Sequence, residues 1–131
     1  MSPIVVDTDV ASYIFNWHSL APSYVAALRG SQLILSFMSV AEMRMGAMSA
    51  GWGVHRRSLL EQFVQQFELS YADDGLCTGW ARIRAAARAA GRPMSAQDAW
   101  IAATALALDG TLATNNRRDY ERVLGLRLLS L

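Results

Sequence analysis

A chain of 131 residues, 53% of them hydrophobic, is long enough to bury one core and too apolar to be a disordered segment, so residues 1–131 are expected to form a single domain. A formal charge of +1 excludes a strongly basic or acidic binding module, and a lone cysteine, Cys77, excludes a disulfide framework and fits a reducing cytosol, with the thiol expected in the core. The apolar run at 99–108, interrupted by Thr104, is too short to span a bilayer, and no basic-then-apolar secretory signal is visible at the start.

In chain order, the β-branched run at 4–6 reads as a buried strand and 10–17 as a short helix. Pro22 opens a second helix to about residue 28, which Gly30 ends. An apolar strand at 33–37 leads into a helix at 39–48, broken by "AGWG" at 50–53. Residues 54–67 are amphipathic, with Leu59, Leu60, Phe63 and Phe67 on one side. A short strand at 68–71 precedes an arginine-studded helix at 76–90, closed by Gly91 and Pro93. Residues 95–108 are nearly all apolar and read as a buried helix ending at Asp109 and Gly110. A strand at 111–113, a helical stretch at 117–123 and a strand at 127–129 complete the chain. Short apolar strands alternating with helices predict the α/β class, as an α/β/α sandwich with a mostly parallel central sheet.

Three acids share one local context. In "SVAE" at 39–42, "SAQD" at 95–98 and "NNRRD" at 115–119, Ser or Asn stands three residues before Glu42, Asp98 and Asp119, at the start of a helical pattern. Taken singly, each is accounted for by a capping box. Topology adds a second account. A helix that follows a parallel strand starts at that strand's carboxyl edge, which places Glu42 and Asp119 there. The helix carrying Asp98 runs antiparallel into strand 111–113 and so begins at the same edge, where Asp7 ends the first strand. The four carboxylates thus converge on the crevice in which open α/β sheets bind ligands.

Converging carboxylates repel and need a counter-charge. The chain has no Lys to supply it, and hard oxygen donors suit Mg²⁺ or Mn²⁺. His18 and His55 lack zinc-ligand spacing to each other or to Cys77. A carboxylate-held Mg²⁺ that keeps its waters is the equipment of metal-assisted phosphodiester hydrolysis.

With those pieces in order, the whole chain resembles the PIN-domain ribonucleases of the VapC type, the toxins of bacterial toxin–antitoxin pairs. The resemblance is carried by "VVDTDV" at 5–10, "SVAEMRMG" at 39–46, "SAQDAWIAATALALDGTLATNNRRDY" at 95–120 and the closing strand within "LRLLSL". It implies a PIN-like fold with Asp7, Glu42, Asp98 and Asp119 as the catalytic, metal-binding acids. Asp7 and Asp98 match the usual ligands, while Glu42 and Asp119 match positions that vary or act through water. Thr8, Thr114 and Asn116 match the polar neighbours of the site, although many members carry an acid where this chain has Asn116.

The resemblance further implies cleavage of cellular RNA, transfer or ribosomal, that halts translation in the cytoplasm. It implies a homodimer with no membrane partner, and a cognate antitoxin whose C-terminal segment lies in a groove and blocks the metal site. Met38, Met43, Met45 and Met48, with Trp52, are candidates for an adaptable apolar groove, against the alternative of ordinary core residues of a helix, and Gly46 fits either a close helix approach or a helix stop. All twelve basic residues are Arg. Among them Arg44, Arg82, Arg84 and Arg88 are candidate contacts to an RNA backbone, against the alternative of a solvated face.

Two rivals remain. "DTDV" after a strand also resembles the opening of haloacid-dehalogenase-like phosphatases, with Asp7 as nucleophile, Asp9 as acid/base and Asp73–Asp74 as a later acidic pair. The missing Lys counts against it. The other rival is a PIN-like binding module without nuclease activity, its acids serving only as caps. Asp9 separates the enzymes. The phosphatase requires it, whereas in the nuclease it starts the next helix or lies at the rim, and Asp9→Ala keeps much of the activity.

Overall fold

The computed structural model describes residues 2–131. The elements run β1 (Pro3–Val6), α1 (Thr8–Asn16), α2 (Ala21–Leu28), β2 (Gln32–Ser36), α3 (Phe37–Ser49), α4 (Val54–Val64), β3 (Glu68–Ser70), α5 (Asp74–Ala89), α6 (Ala96–Ala107), β4 (Thr111–Ala113), α7 (Arg117–Tyr120) and β5 (Arg127–Leu129). The strands form one sheet in the order β3-β2-β1-β4-β5, and every pairing is parallel. Val5 sits opposite Ile34 of β2 and Leu112 of β4. Among the described residues no helix is long and apolar enough to cross a membrane.

The period of two along the strands builds the layers. Ile4, Val6, Leu35 and Ala113 face a core closed by α1, α2, α3 and α4 through Val10, Tyr24, Val40, Met43, Leu60 and Val64. Val5, Ile34 and Leu112 face the other core, with Ile101, Ala102 and Ala105 of α6 and Tyr120 of α7. Strands covered on both faces explain the near-continuous apolar runs, and the α/β/α sandwich is as expected. Strand order reverses at β1, so the ligand crevice of such sheets lies at the carboxyl ends of β1 and β4.

Several boundaries differ from the sequence reading, each for a local reason. Helix α1 starts at Thr8 because Asp7, not Asp9, is its cap, accepting from the Thr8 N–H at 2.8 Å. Helix α3 starts at Phe37, since Ser36 caps it by accepting from Met38 N at 3.1 Å. Ser39 therefore lies inside that helix, and Glu42 is in its second turn rather than in a capping box. Helix α4 stops at Val64, burying Leu60 and Val64 while Leu59 points outward at 42% exposure. Asp73 caps α5 by accepting from Leu76 N at 2.8 Å, which accounts for an acid that the phosphatase reading wanted for chemistry. Helix α7 is a single turn, with Asn116 at its cap position but no side-chain cap bond.

Cys77 is exposed near the start of α5 instead of lying in the core, and His18 and His55 are on the surface. Gly46 has open space where a Cβ would go, so no close helix approach requires it. The glycine that matters for packing is Gly110, where a Cβ would stand 2.9 Å from the Pro3 carbonyl oxygen. Its bare backbone lets the α6–β4 turn close against β1.

Candidate active site

Asp7 ends β1 and is only 6% exposed. Its Oδ1 accepts from the Thr8 N–H at 2.8 Å and from the Tyr120 hydroxyl at 3.3 Å. Its Oδ2 accepts from the Thr114 hydroxyl at 2.7 Å, and the Asn116 N–H donates to that same hydroxyl at 3.0 Å. Burial, then the neighbouring Asp9 carboxylate, push the Asp7 carboxyl up to about 7 against the pull of the Thr114 and Thr8 bonds.

Asp98 occupies the first turn of α6, which Ser95 caps by accepting from Asp98 N at 3.1 Å. Its carboxylate does not complete a capping box. Instead Oδ1 accepts from the Tyr120 hydroxyl at 3.0 Å. Burial raises this carboxyl above its ordinary range, with Asp119 adding to the rise. Glu42 reaches in from α3, its Oε1 accepting from the Thr8 hydroxyl at 2.8 Å, and Ser39 Oγ lies 2.9 Å from the same hydroxyl. Asp119, exposed on α7, accepts from the side-chain amide of Asn116.

Asp9 belongs to the same group. Its Oδ1 accepts from Val10 N at 2.6 Å and its Oδ2 from Asn115 N at 3.1 Å, and burial raises its carboxyl too. A cavity of about 300 Å³ is lined by Asp7, Thr8, Asp9, Ser12, Glu42, Asp98, Asn116, Asp119 and Tyr120. The four acids chosen from the sequence are thus brought together with Thr8 and Asn116, and Thr114 stands behind Asp7. Two residues are added. The sequence reads Asp9 as a helix starter or a residue at the rim of the site; the cap is Asp7, and Asp9, in the first turn of α1, lines the cavity beside it. Tyr120 follows Asp119 directly in "RRDY", and nothing in spacing alone shows its hydroxyl turning inward.

The chemistry of this donor set is hard and anionic. The ion pairs among the described residues, Arg44–Glu61 and Arg127–Asp109, involve none of these acids. As they are placed, no three acidic, histidine or cysteine side chains among the described residues stand close enough to share one ion. Asp9, Glu42 and Asp119 are each turned to a neutral donor.

A larger groove of about 1140 Å³ opens beside the cavity between α5, α6 and α7 and shares Asp98 and Asp119 with it. Arg82, Arg92, Arg118 and Arg122 line it above a floor that includes Ala86, Ala103 and Leu106. Of the arginines singled out from the sequence, Arg82 alone is on this groove. Arg44 is held by Glu61 at 2.7 Å. Arg84 donates to the Met94 carbonyl at 3.2 Å and lies over the Trp80 ring. Arg88, on the exposed side of α5, is not among the lining residues. The methionines also divide. Met43 is buried and Met38 packs against the second core, while Met45 and Met48 face outward and Trp52 stacks on Phe15, so the four methionines do not line a single groove.

The PIN domain family profile matches residues 4–125. The chain belongs to the PIN domain family. This membership removes the phosphatase alternative. The PIN domain is similar to "Ribonuclease VapC1" of Haemophilus influenzae strain R2866, with 24% identity over 125 residues covering 94% of this chain and 93% of the relative. It is also similar to the "tRNA(fMet)-specific endonuclease VapC" of Shigella flexneri, with 26% identity over 127 residues covering 97% and 96%. Among solved structures, VapBC2 of Rickettsia felis bound to a DNA fragment from its promoter superposes with a TM-score of 0.87 at 21% identity, covering 98% of both chains. FitAB bound to the IR36 DNA fragment gives a TM-score of 0.80 at 25% identity, covering 97% of this chain and 94% of that one.

Proposed function

We propose that this PIN domain is an endoribonuclease toxin that depends on Mg²⁺ or Mn²⁺ and cleaves cellular RNA, of the transfer or ribosomal class, to inhibit translation. The observation that carries the reading is the gathering of Asp7, Asp9, Glu42, Asp98 and Asp119 around one cavity with no cationic side chain paired to them among the described residues. Asp7, Asp9 and Asp98, whose carboxyls are raised by burial and by neighbouring acids, are costly to keep ionised, and a divalent ion offsets that cost.

The donor chemistry, carboxylate oxygens lining one cavity, fits such an ion, while as placed no three of these side chains meet at one point. Asp7 and Asp98 are the residues that would hold it, with Glu42, Asp119 and Asp9 brought in by side-chain rotation away from their present neutral partners. When bound, a divalent ion activates a water and stabilises the leaving oxygen of a phosphodiester. The chain's own part is to orient. Thr114 and the Thr8 N–H fix both oxygens of Asp7, Asn115 N fixes Asp9, and the Ser95 cap presents Asp98 at a helix start, where an ionised carboxylate is favoured. Arg82, Arg92, Arg118 and Arg122 supply phosphate contacts along the groove that ends at Asp98 and Asp119.

The likeness to VapC ribonucleases and to chains solved in VapBC and toxin–antitoxin complexes supports a cognate antitoxin that neutralises the enzyme; a homodimer acting in the cytosol completes the proposal. The decisive experiment maps 5′ ends of cellular RNA after induction of the chain, with Asp7→Asn as control. New ends and growth arrest that require Asp7 are expected. Absence of new ends, with purified protein inert towards RNA in either metal, overturns the reading.

A further inference from the structure

We infer that the Tyr120 hydroxyl is a positioning group that holds Asp7 and Asp98 at a set spacing for ion binding, an inference that rests on the metal reading of the site. The hydroxyl lies 3.3 Å from Asp7 Oδ1 and 3.0 Å from Asp98 Oδ1. Those acids come from separate elements, the end of β1 and the start of α6. Tyr120 comes from a third, α7, and bridges them.

The ring has nowhere to move. Tyr120 is 1% exposed and packs with Val5, Ile34, Ile101, Ala105 and Leu112, so the core fixes where the phenol oxygen stands. Each acid must then bring one oxygen to that point. Without a donor there, two desolvated carboxylates lower their repulsion by turning apart. With it, one hydrogen is shared between two acceptors and the pair stays together, while Asp98 Oδ2 is left for another partner. Hydrogen bonds to ligating carboxylates commonly act in this way on ion affinity.

Packing asks only for the ring. Phe at position 120 would fill the same space among the same neighbours, so the hydroxyl has a role that core volume does not explain. Asp119, one residue earlier on the same turn, shares the consequence. The contact that fixes Tyr120 also anchors α7, and with it the backbone from which Asp119 faces the cavity.

The test uses the full chain and Tyr120→Phe, with Mn²⁺ and then Mg²⁺ titrated calorimetrically into RNA-free protein. The expected result is a Kd raised about 10–100-fold in the variant, with cooperative thermal unfolding retained and RNA cleavage partly restored by high metal concentration. A Kd within a factor of about three of the parent's overturns the inference and leaves the metal reading standing. If the parent itself binds neither ion, the metal reading fails and the inference with it. If Tyr120→Phe does not fold, the hydroxyl serves the fold and the positioning role is refuted.

Discussion

Replacing Asp7 by Asn separates the cost of this site from its use. The Asp7 carboxyl rises from the ordinary 3.8 to about 7 in the folded protein. At about 1.4 kcal/mol per pH unit, ionising it in the fold rather than in the unfolded chain costs about 4 kcal/mol. The sign follows from proton uptake. Between pH 3.8 and 7 the folded state holds the proton and the unfolded state has lost it, so stability falls as pH rises through that window. The full penalty is present above it. Asn carries no charge and keeps most of the bonds. Its oxygen can accept from Thr8 N, and its amide can donate to the Thr114 hydroxyl, which has a second lone pair beside the one that accepts from Asn116 N. The value of about 7 already includes the pull of the Thr114 and Thr8 bonds, so the exchange of charge-assisted for neutral bonds is contained in it and the gain is about 4 kcal/mol at pH 8.5 in EDTA. For a chain of this size that is a rise in Tm of roughly 10–15 °C. At pH 5 more than half of the penalty is gone and the gain shrinks with it. Thermal unfolding of parent and variant at both pH values reads this directly. A Tm difference that does not change with pH, or a variant less stable at pH 8.5, refutes the account of Asp7 as a charge held at a cost.

Asp98→Asn, like Asp7→Asn, is expected to lower RNA cleavage by at least about 100-fold, since losing an ion-holding group forfeits several kcal/mol of transition-state stabilisation; single-turnover cleavage of a labelled RNA measures it. Asp9→Ala is now expected to lower activity as well, because the carboxylate secures Asn115 N and lines the cavity, and a variant with full activity would return Asp9 to the rim. Arg118→Ala and Arg122→Ala in an Asp7→Asn background should each weaken RNA binding and reduce the salt slope by about one, read by fluorescence anisotropy from low to high salt; an unchanged slope removes the groove from the RNA path. Gly110→Ala forces a Cβ to 2.9 Å from the Pro3 carbonyl oxygen and should cost about 1–3 kcal/mol in urea unfolding.

The sheet was legible because burial on both faces leaves a plain mark, short runs such as "IVV" and "LIL" between turn residues. The candidate site was legible for a different reason. Once the strands are taken as parallel, position in the chain alone assigns Asp7, Glu42, Asp98 and Asp119 to one edge. What could not be read was which hydrogen bond each polar group makes. Ser36 and Ser39 are both plausible caps for α3, and the choice of Ser36 releases Ser39 to meet the Thr8 hydroxyl. The same ambiguity left Asp9 as either the start of α1 or a rim residue, when the cap is Asp7 and Asp9 lines the cavity. Arginine partners were equally hidden, since Glu61 is 17 residues from Arg44 and on another helix. Cys77 and Leu59 sit at apolar-looking positions of helices whose buried stripes are narrower than their sequences suggest.

The place of the acids follows from where β1 sits. As the strand at which the order reverses, it has helices from both layers starting at its carboxyl end. Helix α1 brings Asp7 as cap and Asp9 in its first turn, and α6 brings Asp98 in its first turn. The positive ends of these two helix dipoles favour the ionised acids by about 0.3–1 kcal/mol each at ordinary sites. That is small against about 4 kcal/mol of penalty at Asp7 alone, and the carboxyls of Asp7, Asp9 and Asp98 all remain raised. The helix ends can therefore gather the acids but cannot neutralise them. A cation that binds the folded protein and not the unfolded chain adds stability by mass action, about 2.7 kcal/mol at a hundred times its Kd. Titrating Mg²⁺ at pH 8.5 should therefore raise the Tm of the parent by several degrees and leave that of Asp7→Asn nearly unmoved. An equal rise in both proteins would mean that the ion acts elsewhere, and that the acids at β1 are a structural burden with no such occupant.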